Sequence, residues 1–225
     1  MAGHSTARKL PTWMTRNVSD VEEETKSQRN ISFRGIIKYC SNVDDLGLAC
    51  ESLISEADRE DELIVGFDAE WPVDFTQGSG KIALIQVCID ESTCYLFHVS
   101  LMRSLPKIFI NFIEHPKVKL VGNCIKNDIW KIGRDFNLPV SKLVSSHRVI
   151  DLGEFANQVL HCAQTWSLDR LALHLMSMTV DKADSIRKSR WDLELSREQQ
   201  LYAATDAYVS LAIYNKLRAK QSQVA

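Results

Sequence analysis

The chain has 225 residues, 45% of them hydrophobic, and a net charge of −2. This length and composition allow one sizeable core, whereas the near-neutral charge argues against a surface that is basic throughout and binds nucleic acid non-specifically. No apolar run approaches the ~18 residues of a membrane-spanning helix, and the N-terminus lacks the hydrophobic segment of a secretory signal. We therefore expect a soluble intracellular protein.

The two ends of the chain differ in composition from its middle. Residues 1–30 are polar, mixed in charge and without apolar periodicity, which predicts a flexible N-terminal tail. A single domain is predicted over residues 31–220, with a C-terminal tail at 221–225. The six cysteines contain no Cys-x-x-Cys pair and most lie in apolar runs, so we expect reduced, buried thiols rather than a zinc site or disulfides.

Apolar runs predict strands, and apolar residues at three- and four-residue spacing predict helices. Strands are expected in ISFRGIIKYC, ELIVGFDAE and KIALIQVCID, with a helix over residues 43–57 after the first. The turn segment EST then leads into CYLFHV, which predicts a hairpin. The short strand VKLVG separates the first two of four further helices, expected over residues 105–113, 125–136, 152–159 and 168–175.

A last helix is predicted to begin with a capping box of Ser196 and Gln199 and to run to about Lys220. Because strands come early and helices dominate later, we expect an α/β fold with a mixed sheet flanked by helices. On a helical wheel, Asp206 lies within the apolar stripe of this last helix, and Tyr202 lies one turn earlier on the same face. A buried, unpaired carboxylate costs several kcal/mol, so Asp206 needs a cation, a hydrogen-bond cluster or a proton.

Two more segments place carboxylates beside apolar runs. LIVGFDAEW ends in Asp68 and Glu70, which point the same way because strand side chains alternate. An ordinary solvated strand end is the simpler interpretation of this pair. Asp128 flanks the apolar stripe of the helix after VKLVG, where it could equally be an acid favoured by the helix dipole.

Together these segments supply four carboxylates and one tyrosine, without a cluster of histidines or cysteines. Such a set suits Mg²⁺ or Mn²⁺ far better than zinc. Two such ions are a standard device for phosphodiester hydrolysis. The sequence therefore predicts a metal site formed by Asp68, Glu70, Asp128 and Asp206.

The segments GFDAEW, NCIKND and LYAATDA resemble the three motifs of the DEDD superfamily of 3′–5′ exonucleases. Tyr202 lies four residues before Asp206, and Leu201 stands where the other branch has a histidine, so the resemblance is to the DEDDy branch. Within it the chain is most similar to Werner-type exonuclease domains, and GKIALIQVCIDESTCYLFHVS and TWSLDRL add to the likeness. The resemblance implies a ribonuclease H-like fold.

The resemblance also implies a function and roles for the site residues. Asp68, Glu70, Asp128 and Asp206 would hold two Mg²⁺ or Mn²⁺ ions, and Tyr202 would orient the attacking water or the scissile phosphate. The substrate would be DNA with recessed or related structured 3′ ends, in a nuclear role in DNA repair or replication. A separate helicase chain would supply unwinding. RNA 3′-end trimming and a catalytically silent nucleic-acid-binding module are the alternatives.

Several residues near these motifs are candidate nucleic-acid contacts. Arg187, Lys188 and Arg190 are basic residues shortly before the last helix, although a solvated loop explains them equally well. Trp130 faces away from the apolar stripe of its helix and could stack on a base. Lys126 and Lys131, near Asp128, are candidate phosphate contacts. Asp151 is predicted to cap a helix, and Asp135 to lie at the surface.

Overall fold

The computed structural model describes residues 29–74, 78–102, 104–180 and 184–224, so most of the predicted N-terminal tail lies outside the described residues. The strands are β1 (Arg29–Ile31), β2 (Ile36–Cys40), β3 (Leu63–Glu70), β4 (Val73–Asp74), β5 (Gly78–Ser79), β6 (Leu84–Cys88), β7 (Thr93–His98), β8 (Val118–Gly122), β9 (Val149–Asp151) and β10 (Met178–Val180). The helices are α1 (Val43–Arg59), α2 (Lys107–Ile113), α3 (Ile125–Phe136), α4 (Ser141–Val144), α5 (Leu152–Val159), α6 (Leu168–Met176), α7 (Asp184–Arg187) and α8 (Arg197–Val224). Across the described ranges, no helix combines the length and apolar character that crossing a membrane requires.

Six strands form one mixed sheet in the order β2–β7–β6–β3–β8–β9. Strand β6 runs antiparallel to β7 and β3, and the remaining neighbours are parallel. The β6–β7 hairpin is the one predicted from KIALIQVCID and CYLFHV. Two small sheets, β1–β10 and β4–β5, lie beside the main one. The mixed sheet flanked by helices confirms the predicted fold class.

Alternation along β3 determines what lies on each face of the sheet. Val65 and Phe67 point into one core, where α1, α2 and α3 cover the sheet. Gly66 points to the other face, where α5, α6 and α8 enclose a second core. Asp68 and Glu70 share the side of Gly66, because residues two apart on a strand point the same way. Both carboxylates therefore face α8.

Helix α8 crosses β3 at Gly66, where the two backbones touch. A Cβ atom added to Gly66 would overlap the carbonyl oxygen of Ala207. Only glycine permits this approach, which brings the middle of α8 down to the end of β3. Asp206, the residue before Ala207, is thereby carried to the sheet edge that bears Asp68.

Replacing Gly66 with alanine should lower the free energy of unfolding by roughly 1–3 kcal/mol, because the new methyl group must push α8 away from the sheet. Gly47, in α1, is the matched control, since an added Cβ there meets nothing within 4 Å. Gly47→Ala should raise stability by up to ~1 kcal/mol, because alanine favours a helix over glycine. Urea unfolding measures both changes, and equal effects would contradict the close approach of α8.

The sequence predicted the longer elements, and the structure divides or extends some of them. The predicted strand ISFRGIIKYC contains two strands in different sheets, since β1 ends at Ile31 and β2 begins at Ile36. Helix α8 continues past Lys220 to Val224. The short elements β4, β5, β9, β10, α4 and α7 were not predicted. Each has five residues or fewer, which is too short to show a periodicity.

All six cysteines are free. Four of them are buried, as predicted, in β2, α1, β6 and β7. Cys124 is exposed, so the prediction of a buried thiol is wrong there. It occupies the turn between β8 and α3 with a φ of 57°, and such a connection lies at the surface.

Candidate active site

The end of β3 carries the first two candidate residues, Asp68 and Glu70. Strand β3 pairs with β8 as far as Gly66 and with β6 from Gly66 to Glu70. The ladder with β6 therefore holds the backbone that carries the two carboxylates, and Phe67, the residue before Asp68, is almost fully buried. Both carboxylates project from it towards α8.

Helix α8 supplies the second segment. The predicted capping box begins it: the Ser196 N–H donates to Gln199 Oε1 at 2.9 Å, and the Gln199 N–H donates to Ser196 Oγ at 3.2 Å. Asp206 lies two turns further along with only 8% of its surface exposed. Tyr202 lies one turn before it on the same cavity, where burial and the charge of Asp206 raise the pKa of its hydroxyl.

Strand β8 leads to the third segment. Gly122, at its end, lies so close to β3 that an added Cβ would be 2.5 Å from the carbonyl oxygen of Phe67. The chain then turns through Cys124 in a left-handed conformation, and α3 begins at Ile125. Asp128 falls in the first turn of that helix and is 7% exposed.

These segments converge on one cavity. Asp68, Glu70 and Asp206 each offer a carboxylate oxygen, and the three oxygens lie within 4.8 Å of one another. With Asp128 and Tyr202 they line a cavity of about 720 Å³. The other lining residues are Ala69, Trp71, Val73, Asn123, Ser167, Leu168, Asp169, Val180, Asp184, Arg187, Lys188 and Ser210.

Burial raises the pKa of all four carboxyls. It raises the pKa of Asp68 to about 6. For Asp128, burial and the charges of Asp68 and Asp151 raise the pKa to about 9. Burial is also the main cause of the raised pKa values of Glu70 and Asp206, and neighbouring carboxylates add to it. Without a cation the site therefore retains protons that ordinary carboxyls have lost at neutral pH.

The donor set fits hard divalent cations. Clustered carboxylate oxygens are the ligands that Mg²⁺ and Mn²⁺ prefer, and a doubly charged ion offsets the repulsion that raises these pKa values. Asp68, Glu70 and Asp206 are close enough to share one ion. Asp128, on the same cavity, is placed to complete the set.

Two of the predicted nucleic-acid contacts line the cavity. Arg187 and Lys188 lie at the end of α7, and Asp184 pairs with them at 3.4 Å and 2.7 Å. The charge of Arg187 lowers the pKa of Glu70, against the larger effect of burial. These two residues therefore place positive charge beside the carboxylates.

Three further predicted contacts, Lys126, Trp130 and Arg190, are not among the residues that line the cavity. The Lys126 ammonium forms an ion pair with Glu154 at 2.6 Å, across α3 and α5. The Arg190 guanidinium forms two hydrogen bonds to Asp192, at 2.8 Å and 2.7 Å. Trp130 is 49% exposed on the outer face of α3.

Two side chains of α3, those of Lys131 and Asp135, are largely buried, whereas the sequence predicted a phosphate contact and a surface acid. Lys131 donates to the carbonyl oxygen of Gly80 at 2.6 Å, pairs with Asp135 at 3.0 Å and lies 5.1 Å from the Trp71 ring centre. Asp135 also accepts from the Ile82 N–H at 2.9 Å. The prediction of a phosphate contact at Lys131 and a surface acid at Asp135 is wrong, because the connection from β3 to β6 folds back over α3. This cluster fixes Trp71, which lines the cavity.

Asp151 caps a helix, as predicted. Its Oδ1 accepts from the N–H groups of Gly153 and Glu154 at 3.0 Å and 3.2 Å, at the start of α5. The structure adds a second effect, because the charge of Asp151 also raises the pKa of Asp128.

Gln86 is a buried neighbour of the site that the sequence analysis missed. It lies directly opposite Asp68 in the β3–β6 ladder and is fully buried. Neither polar atom of its side chain has a hydrogen-bond partner in the described part of the chain. The signal was present in KIALIQVCID, where one amide interrupts an apolar strand. Asn123, in the turn before α3, and Asp169, in the first turn of α6, also line the cavity and carry no such signal.

Comparison with known proteins places the chain in a family. Residues 44–221 match the family described as 3′–5′ exonuclease. A 3′–5′ exonuclease of Drosophila yakuba is 34% identical over 206 residues, covering 90% of this chain and 58% of that protein. The bifunctional 3′–5′ exonuclease/ATP-dependent helicase WRN of Mus musculus is 36% identical over 225 residues, covering 95% of this chain and 16% of that protein.

Solved structures agree on the fold. The catalytic core of RRP6 from Trypanosoma brucei superposes with a TM-score of 0.67 at 18% identity, covering 92% of this chain and 54% of that one. Identity this low shows the fold alone. The family match and the fold together identify an exonuclease domain of ribonuclease H-like architecture. The chain belongs to the 3′–5′ exonuclease family, and it spans little more than half the length of its Drosophila relative.

Proposed function

We propose that this protein is a metal-dependent exonuclease that removes mononucleotides from the 3′ end of DNA. The observation that carries the proposal is the approach of three carboxylate oxygens, from Asp68, Glu70 and Asp206, to within 4.8 Å of one another. With Asp128 these residues would hold two Mg²⁺ or Mn²⁺ ions. Such ions, when bound, activate a water molecule and stabilise the leaving 3′-oxygen.

The remaining residues of the cavity would bind and orient the nucleic acid. Arg187 and Lys188 would contact phosphates, since they line the cavity beside the acidic cluster. Lys126, Trp130 and Arg190 lie outside it, so their proposed contacts would be with nucleotides further from the 3′ end. The cavity encloses about 720 Å³, which accommodates a terminal nucleotide.

Tyr202 would orient the attacking water or the scissile phosphate. Burial and the charges of Asp206, Glu70 and Asp68 raise its pKa, so the phenol stays protonated and can donate a hydrogen bond. Tyr202→Phe should therefore lower kcat by about 10- to 100-fold with little change in melting temperature. Tyr208→Phe, in the same helix but packed on Phe33, should leave kcat unchanged. Equal kcat values for the two variants would remove Tyr202 from the mechanism.

The DNA substrate is supported by the mouse relative, whose name joins the exonuclease to an ATP-dependent helicase. We propose accordingly a nuclear role in DNA repair or replication, with unwinding supplied by a separate helicase chain. RNA 3′-end trimming is the alternative outcome of the test, because carboxylates and a tyrosine meet only phosphate, water and metal. The 2′-hydroxyl of RNA would be recognised elsewhere in the cavity.

Incubation of the protein with 5′-labelled DNA and RNA, single-stranded or with recessed 3′ ends, tests the proposal. We expect DNA ladders shortened from the 3′ end with Mg²⁺ or Mn²⁺, and none with chelator or with the double variant Asp68→Ala, Glu70→Ala. Ladders on RNA alone would select the alternative. The absence of ladders on every substrate would leave a catalytically silent binding module.

A further inference from the structure

His98 lies at the end of β7, where it is fully buried in the second core. Its Nδ1 is 2.5 Å from the Tyr39 hydroxyl oxygen. Its Nε2 is 3.0 Å from the carbonyl oxygen of Trp191 and 2.8 Å from Ser100 Oγ. A buried imidazole with both nitrogens engaged is held in one orientation, and here it joins two strands to the segment before α8.

The partners determine the direction of each hydrogen bond. The Trp191 carbonyl can only accept, so Nε2 of His98 carries the proton. Nδ1 then accepts from the Tyr39 hydroxyl. Burial raises the pKa of Tyr39, and the nearby backbone N–H of Leu195 acts against that rise. Burial lowers the pKa of His98, so the ring is neutral, as this arrangement requires. His98 thus holds the segment 191–195 at Trp191, and the Tyr39 hydroxyl lies beside its other end at Leu195.

Trp191 connects the contacts of Tyr39 and His98 to the cavity. Its indole is fully buried, and the indole N–H donates to the carbonyl oxygen of Arg187 at 3.1 Å. The centre of its ring lies 6.1 Å from that of Tyr202. Arg187 and Tyr202 both line the cavity, together with Asp206. One buried side chain therefore contacts both the basic wall of the cavity and its tyrosine.

We propose that Tyr39 and His98 are positioning residues that hold Trp191, and through it the Arg187 guanidinium and the Tyr202 hydroxyl, at the carboxylate cluster. The inference rests on the function proposed above. Neither Tyr39 nor His98 lines the cavity, so both act through the segment that they anchor. Strands β2 and β7, at one edge of the main sheet, thereby fix the position of the segment that contacts the site.

Tyr39→Phe removes the hydroxyl that donates to His98 Nδ1 and lies beside the backbone N–H of Leu195. Tyr95→Phe is the matched control, because Tyr95 lies on β7 and its hydroxyl accepts from Lys38 at 3.0 Å, with no bond to the anchored segment. Hydrogen exchange of the metal-free proteins compares them without any need for activity. We expect amides in residues 187–202 to exchange on the order of tenfold faster in Tyr39→Phe, and at the wild-type rate in Tyr95→Phe.

Kinetics on DNA with a recessed 3′ end separate positioning from a general loss of stability. Tyr39→Phe should raise KM several-fold and lower kcat, whereas Tyr95→Phe should change neither. In an Arg187→Ala background, Tyr39→Phe should raise KM no further, because the cation that it positions is already gone. An equal rise in KM with and without Arg187 would overturn the proposal.

Equal exchange rates in Tyr39→Phe and Tyr95→Phe would also overturn it. If Tyr39→Phe does not fold, Trp191→Phe tests the same link, since it keeps a buried aromatic ring, smaller than the indole, and removes the N–H donated to the carbonyl oxygen of Arg187. Faster exchange near residue 187 is then expected, and an unchanged rate would contradict the link. A wild-type protein that cleaves no nucleic acid would refute the proposed function, while the exchange comparison would still decide whether the segment is anchored.

Discussion

Asp206→Asn should lose at least about 1,000-fold in kcat while the metal-free protein becomes more stable. The loss follows because an amide cannot replace a carboxylate among the ligands of a divalent cation. The gain follows because Asp206 is 8% exposed and its carboxyl faces the charge of Asp68. Removing one buried acid from this cluster should raise the free energy of unfolding at pH 8 by about 1–2 kcal/mol.

Asp61→Asn is the matched control, because Asp61 is exposed in the connection before β3. It should change neither kcat nor stability by a measurable amount. Urea unfolding in chelator and single-turnover cleavage of labelled DNA measure the two quantities. An Asp206→Asn protein that keeps activity within tenfold of wild type would refute the assignment of Asp206 as a metal ligand. A variant that is less stable than wild type in chelator would refute the repulsion.

The melting temperature of the metal-free protein should fall as the pH rises from about 4 to about 9. The pKa values of Asp68 and Asp128 in the folded protein, about 6 and about 9, exceed the usual aspartate value of 3.8. The unfolded chain therefore loses these protons first, and stability present below about pH 4 is lost as the pH rises through each folded pKa. Mg²⁺ or Mn²⁺ should reverse the fall, because the ion stabilises the ionised carboxylates.

Scanning calorimetry across this range, with chelator and with each metal, measures the effect. The shift in melting temperature caused by metal should increase with pH, since fewer protons compete with the ion. Asp128→Asn serves as the control variant and should remove the part of the fall that extends towards pH 9. A metal-free melting temperature that is flat or rising between pH 6 and pH 9 would contradict the raised pKa values.

Much of the site could be predicted because its residues stand out against local patterns. Asp206 interrupts an apolar helical stripe, and Asp68 and Glu70 end a buried strand. The capping box at Ser196 and Gln199 is likewise a signal confined to four residues, and the structure confirms it. In each case the pattern that supports the prediction lies in the same strand as the residue, or within two helical turns of it.

The errors and omissions involve contacts between distant segments. Lys131 was predicted to contact phosphate, yet it is buried against Trp71 and Gly80 from the connection after β3. The pairing of β1 with β10 joins segments almost 150 residues apart in three-residue strands, as in the hydrogen bond from Thr179 to Asn30. Neither strand is long enough to show a periodicity. Nothing in the local pattern around these residues indicates such partners.

By itself the sequence indicated the candidate metal ligands, because a carboxylate in an apolar pattern is visible from its neighbours along the chain. Only the tertiary structure decided how these residues meet. Gly66 lets α8 touch β3 and so places Asp206 beside Asp68, and His98 links two strands to the segment that carries Trp191. The physical reason is that patterning depends on residues a few positions apart, whereas a close approach of two backbones depends on the packing of the whole core.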